Sequence, residues 1–230
     1  LKSFIPQANK SLLLLINIAC FYFGGFRAGI ISLFIVIYRV LSIFGITTTP
    51  QIFQNHFKPG ICYIKDYTGA YSSHVNEFIY VDKIIKEKNL YDFSIIALYY
   101  DNPQTVKEDK LRCSIGLYKI NNEGGNGLSP EDERFLINDG FRKHELVDSK
   151  SLYICWNYIN VFSMMIGIKK CYALLHKKMS NKRFMESFQI KEEQIKVSIE
   201  VYDNFFGNKN IHFYVPFENG DKFLIYQKDK

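Results

Sequence analysis

Alternating apolar and polar positions divide most of the chain into short strands and amphipathic helices. One apolar strand runs into Tyr100-Asp101-Asn102, and this tripeptide recurs as Tyr202-Asp203-Asn204 between two further strands. The apolar segments that flank the two tripeptides are 94–99, 111–118, 197–202 and 211–215. A repeated strand–turn–strand predicts two copies of one unit, with a cleft where the copies meet. Because Asp and Asn are ordinary turn residues, coincidence is the alternative explanation.

The predicted helices fall in register with this duplication. The first half begins with a strand at 61–64, and a helix follows over about 74–88 with apolar residues three and four positions apart. The second half begins with a strand at 152–156, and a longer helix follows over about 161–179. The apolar stripe of the longer helix consists of Met165, Ile168, Tyr172, Leu175 and Met179.

Strand 197–202 indicates which residues each face of the sheet carries. Its apolar residues alternate with polar ones, so we expect one face to pack beneath the helices and the other to carry Glu200 and Tyr202. The fold class predicted is α+β, with two duplicated βαββ units in one antiparallel sheet, helices on one side and a groove on the other. The two units cover about 61–119 and 151–216.

The N-terminal region differs from the rest because residues 12–46 are almost continuously apolar. A membrane-spanning helix needs about 20 such residues. We predict a span over about 12–34, which places Arg27 near one end, where its side chain reaches the headgroups, and leaves the remainder as an interfacial stretch. Residues 1–46 would then form a membrane anchor and 47–230 a globular domain. The alternatives are a pair of buried core helices or a cleaved signal peptide, for which the run is too long.

Composition excludes several classes of site. The net charge of +6 permits an anionic partner without requiring one. Five cysteines without a Cys-x-x-Cys pair argue against a disulfide framework and a structural zinc site. The histidines show no metal-ligand spacing, and the sequence contains no Ser-His-Asp grouping, phosphate loop or nucleotide fingerprint. We therefore expect no metal, no cofactor and no enzymatic activity.

Glu200 is the sharpest candidate for a functional residue. It is a lone carboxylate between strand hydrophobes, and in the predicted groove it would bind a cationic group or act as a general acid or base. The alternative is an ion pair with Arg112 or a nearby lysine, or simple solvation. Aromatic residues would line the same groove, although ordinary strand packing explains them as well. The predicted groove residues are Glu200, Tyr202, Tyr99, Tyr100, Trp156 and Arg112.

A run of basic residues lies along the second predicted helix, off its apolar stripe. We predict that this face lies near the membrane, against anionic lipid or an acidic partner; a solvated helix face is the alternative. Because no aromatic residues are interleaved with the run, nucleic acid is not an expected partner. The residues of the predicted basic face are Lys169, Lys170, Lys177 and Lys178.

Several short segments give the chain a family resemblance. They are Ala97-Leu98-Tyr99-Tyr100-Asp101-Asn102-Pro103, Asp109-Lys110-Leu111-Arg112-Cys113-Ser114-Ile115-Gly116, Gly140-Phe141-Arg142, Glu200-Val201-Tyr202 and Ile211-His212-Phe213. With this order and spacing, the chain resembles the GyrI-like branch of the GyrI/SOUL superfamily. Within that branch it is most similar to a testis-expressed family of membrane-anchored receptors for autophagy of the endoplasmic reticulum (ER-phagy). The resemblance extends from the apolar segment to about Pro216.

The resemblance implies a location and partners. It implies one span in the endoplasmic reticulum membrane, a cytosolic GyrI-like adaptor domain, and a characteristic glutamate at position 200 in the ligand groove. The implied partners are protein clients, an AAA segregase and ubiquitin-like autophagy modifiers, which the family binds through a disordered C-terminal tail. No such tail follows the last predicted strand before Lys230.

Three functions follow from these observations. The leading prediction is an adaptor or receptor of the endoplasmic reticulum membrane without catalysis. The second is a membrane-tethered domain that binds small molecules, and the third is a hydrolase of small electrophiles that uses Glu200 and a tyrosine.

Overall fold

The computed structural model describes residues 22, 25–121, 127–203 and 210–227. The chain divides into two compact units. The smaller unit comprises Leu1–Thr49 and Ile159–Ile166, and the larger comprises Pro50–Tyr158 and Gly167–Lys230.

The described part of the smaller unit contains helix α1 (Gly25–Ile43) and the first turns of a later helix that begins at Val161. Helix α1 ends in a turn where Gly45 adopts a φ of 76° and the Ile46 amide donates to the Leu41 carbonyl, a common way to satisfy the last carbonyls. Beyond it, the Phe44 and Phe162 rings meet edge to face, with 5.8 Å between their centroids. Within the described ranges, no helix is both long and apolar enough to cross a membrane. Most of the predicted 12–34 span lies outside the described residues.

The larger unit contains an eight-stranded, fully antiparallel sheet with helices, so the predicted α+β class is confirmed. The strands are β1 (Phe53–Phe57), β2 (Gly60–Thr68), β3 (Ser94–Tyr99), β4 (Arg112–Ile120), β5 (Arg142–Leu146), β6 (Ser149–Asn157), β7 (Ser198–Tyr202) and β8 (Asn210–Pro216). The further helices are α2 (Val75–Glu87), α3 (Pro130–Asn138), α4 (Val161–Met179, whose first residues belong to the smaller unit) and α5 (Lys182–Ser187). The strand order is β1-β6-β8-β7-β3-β4-β2-β5.

This order has the symmetry expected of two βαββ units, β2–α2–β3–β4 and β6–α4–β7–β8. The units meet at the central β3–β7 pair, where Ala97 lies opposite Glu200 and Leu98 opposite Ile199. The repeated Tyr-Asp-Asn tripeptide aligns Leu98 with Glu200 and Ala97 with Ile199 in sequence. If each residue is replaced by its equivalent in the other half, the pair Ala97–Glu200 becomes the pair Ile199–Leu98. This pseudo-twofold symmetry supports a true duplication over coincidence.

Three short elements were not predicted: the edge strands β1 and β5, and helix α5. Strand β1 precedes β2 in the chain but pairs with β6, whereas β5 precedes β6 but pairs with β2. The strand that precedes each βαββ unit in sequence thus pairs with the first strand of the other unit. Both strands are short and mostly polar, as is common where a sheet edge meets water, so they lack the apolar alternation that reveals a strand.

Both faces of the sheet are covered. The prediction that the helices cover the apolar face of strand 197–202 was wrong. The inner face, defined by Ile96, Leu98, Ile199 and Val201, packs with Phe57, Tyr118 and Phe223 into a core cluster, not under the helices. The Phe57 and Tyr118 rings lie 5.4 Å apart although β1 and β4 are distant in strand order, so the sheet curls around this core. The helix face, defined by Ala97, Glu200, Tyr202 and Phe213, contacts α2 and α4.

The long helix α4 has the predicted bounds but a shifted buried face. Cys171 and Gly167 are buried at its centre, whereas Met165 is 63% exposed. A Cβ on Gly167 would lie 2.1 Å from the Trp156 Nε1 atom of β6. The helix therefore approaches the sheet most closely at Gly167, which carries no side chain and so was absent from the predicted apolar stripe.

Candidate functional site

Glu200 lies at the centre of the helix face and is 2% exposed. Its Oε2 atom accepts hydrogen bonds from the Tyr99 hydroxyl at 3.1 Å and the Tyr202 hydroxyl at 2.5 Å. Tyr172 of α4 donates a third hydrogen bond to the carboxylate. Three elements, β3, β7 and α4, therefore place tyrosine hydroxyls around one carboxylate.

Among the described residues, no basic side chain compensates the charge of Glu200. Within the described part of the chain, no lysine, arginine or histidine forms an ion pair with it. Burial raises the pKa of the Glu200 carboxyl, and the hydrogen bonds from Tyr202, Tyr172 and Tyr99 oppose that shift. Burial and the negative charge of Glu200 raise the pKa of all three tyrosines well above the usual value, so their hydroxyls stay protonated donors.

Aromatic rings surround this carboxylate. Tyr202 meets Phe78 of α2 edge to face at 5.3 Å, and Tyr172 meets Phe213 of β8 at 5.6 Å. Tyr99 meets Tyr71 at 4.7 Å. We call this set the Glu200 cluster, which comprises Glu200, Tyr71, Phe78, Tyr99, Tyr172, Tyr202 and Phe213. Its outer members, Tyr71, Phe78, Tyr99 and Tyr172, are partly exposed, so the buried carboxylate lies beneath an aromatic layer that solvent reaches.

The structure brings three of the six predicted groove residues together, namely Glu200, Tyr99 and Tyr202. The predicted place of this group, on the side of the sheet away from the helices, was wrong, because Glu200 bonds to Tyr172 of α4. Trp156 shares the helix face and packs against Gly167 of α4. Trp156 therefore forms part of the packing contact between α4 and the sheet.

The predictions for Tyr100 and Arg112 were wrong. Tyr100 packs against the inner face, where its hydroxyl lies 2.8 Å from Ser114 Oγ and its ring meets Tyr226. Arg112 is not the partner of Glu200. Its Nε and Nη2 atoms donate to the two carboxylate oxygens of Asp101 at 2.9 and 2.8 Å, so it braces the β3–β4 turn.

Sequence reasoning missed Tyr71, Phe78 and Tyr172 as site residues. Tyr172 was assigned to the apolar stripe of its helix, and Phe78 lies within the helix predicted over about 74–88, where aromatic residues are ordinary. A signal was available for Tyr172, because a tyrosine on the buried side of a helix needs a partner for its hydroxyl. The carboxylate of Glu200 is that partner.

The predicted basic face of α4 is only partly exposed. Lys169 and Lys177 are exposed, whereas the Lys170 and Lys178 ammonium groups lie over the Trp156 and Phe184 rings at 5.9 and 5.2 Å. A contact with lipid stays a prediction. In the described ranges, no group of three or more His, Cys, Asp or Glu side chains has the arrangement of a metal site.

The comparisons with known proteins give structural similarities only. No protein-family model matches the chain, and no curated protein matches it. The EcmrR C-terminal domain is similar at 12% identity and a TM-score of 0.44, covering 73% of this chain and 96% of that domain. SAV2435 bound to tetraphenylphosphonium is similar at 11% identity and a TM-score of 0.42, covering 72% of this chain and 93% of that one. A hydrolase from Listeria innocua is similar at 12% identity and a TM-score of 0.42, covering 74% of this chain and 93% of that one. Similarities at this level carry no argument about function.

The raised pKa of Glu200 predicts a pH-dependent effect of the Glu200→Gln variant on stability. The folded protein binds the carboxyl proton more tightly than the unfolded chain, whose glutamate pKa is about 4.3. Ionisation of Glu200 therefore reduces stability as the pH rises from that value through the folded pKa. Because glutamine does not ionise, we expect the Tm of the variant to rise relative to that of wild type as the pH increases from about 4.3 through the folded pKa of Glu200 in thermal melts. A difference independent of pH would contradict this prediction.

Proposed function

We propose that the larger unit is a GyrI-like domain that binds small organic cations with aromatic or apolar groups at the Glu200 cluster. The observation that carries the proposal is a carboxylate, 2% exposed, that has tyrosine donors but no basic partner among the described residues. The duplicated βαββ order of the sheet supports the GyrI-like assignment that the sequence resemblance implies.

The chemistry of the cluster selects for positive charge. A buried carboxylate without a counter-ion is costly, and a bound cation would supply the missing charge. Aromatic faces attract cations as well, most strongly where water is excluded. Because Tyr99 and Tyr172 are partly exposed, rotation of either side chain would open a route from solvent to Glu200. An anion of the same shape would meet the carboxylate and be repelled.

The titration of tetraphenylphosphonium into the full chain tests this proposal. The cation combines a buried charge with four phenyl groups and is the ligand of one of the compared structures. We expect saturable binding by calorimetry, and we expect Glu200→Gln to weaken it about tenfold or more, because interactions with a charged partner contribute about 1.5–3 kcal/mol.

Two controls separate the charge from general hydrophobic binding. Tetraphenylborate has the same shape and the opposite charge, so we expect it not to bind. Tyr100→Phe removes a tyrosine hydroxyl on the inner face and should leave the affinity for tetraphenylphosphonium unchanged. Equal binding of the two ions, or an unchanged affinity in Glu200→Gln, would show that the carboxylate is not the binding site.

The finer predictions from the resemblance remain proposals. They are the membrane anchor, the location in the endoplasmic reticulum and the ER-phagy receptor role with its clients, segregase and autophagy modifiers. The absence of enzymatic activity also stays a prediction, and an assay for hydrolysis of small electrophiles by wild type and Glu200→Gln would test it.

A further inference from the structure

A second polar cluster lies on the opposite side of the sheet from Glu200. Cys155 of β6 is paired across the sheet with His212 of β8. The pairing of β1 with β6 reaches only to Tyr153, so Cys155 lies beyond the end of β1. Its side chain is exposed. Among the described residues, no strand pairs with β6 at this position on the β1 side, and the exposed thiol is open to a reagent.

The imidazole of His212 is fixed at both nitrogens. Its Nδ1 atom lies 2.8 Å from the Tyr153 hydroxyl oxygen, and its Nε2 atom lies 2.6 Å from Asp203 Oδ2. The Tyr153 ring stacks on the imidazole at an interplanar angle of 14°. The Cys155 thiol is within hydrogen-bonding reach of both His212 and Tyr153. Cysteine, histidine and aspartate are thus connected within one network.

The protonation states follow from the groups that face His212, which are Tyr153, Cys155, Asp203 and Tyr214. Burial lowers the pKa of His212, but the hydrogen bond to Asp203 and the proximity of Cys155 outweigh burial and raise the pKa to about 9. Burial and the charge of Cys155 raise the pKa of Tyr153, and burial raises the pKa of Tyr214 to about 12. At neutral pH the network therefore consists of an imidazolium and protonated tyrosines.

The hydrogen bonds then have one consistent direction. The imidazolium donates from Nε2 to Asp203 and from Nδ1 to the Tyr153 oxygen, and the Tyr153 hydroxyl is free to donate to the sulfur of Cys155. A cation and a donor that face a thiol stabilise its thiolate, which is the nucleophilic form. The other described cysteines are different, because Cys62, Cys113 and Cys171 are buried and burial raises the pKa of each to about 12.

We propose that Cys155 is a covalent modification site for small carbon electrophiles, with the His212 imidazolium as the cation that faces its sulfur and Asp203 and Tyr153 as positioning residues. The thiol gives up its proton to solvent during the reaction. The sulfur electron pair attacks the electrophilic carbon, the S–C bond forms, and the bond from that carbon to its leaving group breaks. With iodoacetamide the leaving group is iodide. The site lies on the face opposite the Glu200 cluster, so the proposal does not rest on the ligand-binding function.

Alkylation of the intact full chain by iodoacetamide tests the proposal. Peptide mass spectrometry follows each cysteine separately, and the native rate is divided by the rate in urea, which removes the effect of the fold. We expect Cys155 to react at least about tenfold faster than the three buried cysteines at pH 7, and to lose about tenfold in His212→Gln. Asp203→Asn, which keeps the shape of the site, should lower the rate in the same direction.

A matched control uses a second histidine–aspartate pair, which is exposed. His56 Nδ1 lies 2.7 Å from Asp148 Oδ1, on the edge strand β1. His56→Gln therefore removes a comparable pair, and we expect it to leave the rate of Cys155 unchanged. An unchanged rate in both His212→Gln and Asp203→Asn, with folding verified by circular dichroism, would overturn the proposal. An equal loss in His56→Gln would overturn it as well.

Discussion

Replacing Gly116 with alanine is expected to remove at least about 3 kcal/mol of folding free energy, because the new methyl group meets backbone atoms. Gly116 lies in β4 between Ile64 of β2 and Ile96 of β3. A Cβ there would lie 1.8 Å from the Tyr63 carbonyl oxygen and 2.8 Å from the Ile64 Cα. A side-chain rotation cannot relieve such contacts, so the β2–β4 ladder must separate. Urea unfolding followed by circular dichroism measures the loss.

The control for this prediction is Gly127→Ala. The nearest atoms to a Cβ on Gly127 would be the Tyr63 hydroxyl oxygen at 3.7 Å and Ile61 Cδ1 at 3.8 Å, which are ordinary contacts. We expect this variant to change stability by less than about 1 kcal/mol. Equal stability of the two variants would mean that β2 does not approach β4 as closely as described.

The local elements of the larger unit could be predicted because their signals are local. Helix α4 has the predicted bounds, 161–179, and the four strands next to the Tyr-Asp-Asn repeat are present. The edge strands β1 and β5 could not be predicted in the same way. Each pairs with a strand from the other half, and that choice depends on the assembled sheet.

The position of Glu200 shows a second limit of sequence reasoning. Alternation in β7 correctly placed Glu200 and Ile199 on opposite faces, but it does not tell which face the helices cover. Both faces are buried, because Phe223 of the C-terminal segment packs into the core of the inner face. The alternation of apolar and polar residues in β7 therefore predicted a strand with one exposed face. In the structure Glu200 is buried instead, and tyrosine hydroxyls satisfy its carboxylate.

The Cys155 network was invisible in the sequence for a related reason. Cys155 and His212 are 57 positions apart, and only the register of β6 against β8 makes them neighbours. Asp203 belongs to the repeated tripeptide and was interpreted as a turn residue. A pairing register is set by the curled sheet as a whole, so these three side chains meet only in the folded protein.

Replacing Gly167 with alanine is expected to destabilise the protein by about 2–3 kcal/mol, because the methyl group would overlap a buried ring. Its Cβ would lie 2.1 Å from Trp156 Nε1 and 2.2 Å from Cδ1, and Trp156 is 3% exposed. Helix α4 must then move away from the sheet. Because Tyr172 lies on the same helix, it would move away from Glu200, and we expect weaker binding of tetraphenylphosphonium as well.

A double-mutant cycle decides whether the contact with Trp156 is the cause. In a Trp156→Leu background the ring is gone, and the methyl group of Gly167→Ala has space. We therefore expect the second substitution to cost little there, with a coupling free energy of at least about 1 kcal/mol between the two positions in urea unfolding. An additive result would mean that Gly167 does not set the distance between α4 and the sheet. The affinity for tetraphenylphosphonium can be measured in the same four proteins. We expect it to correlate with the displacement of α4, and hence of Tyr172, better than with the free energy of unfolding.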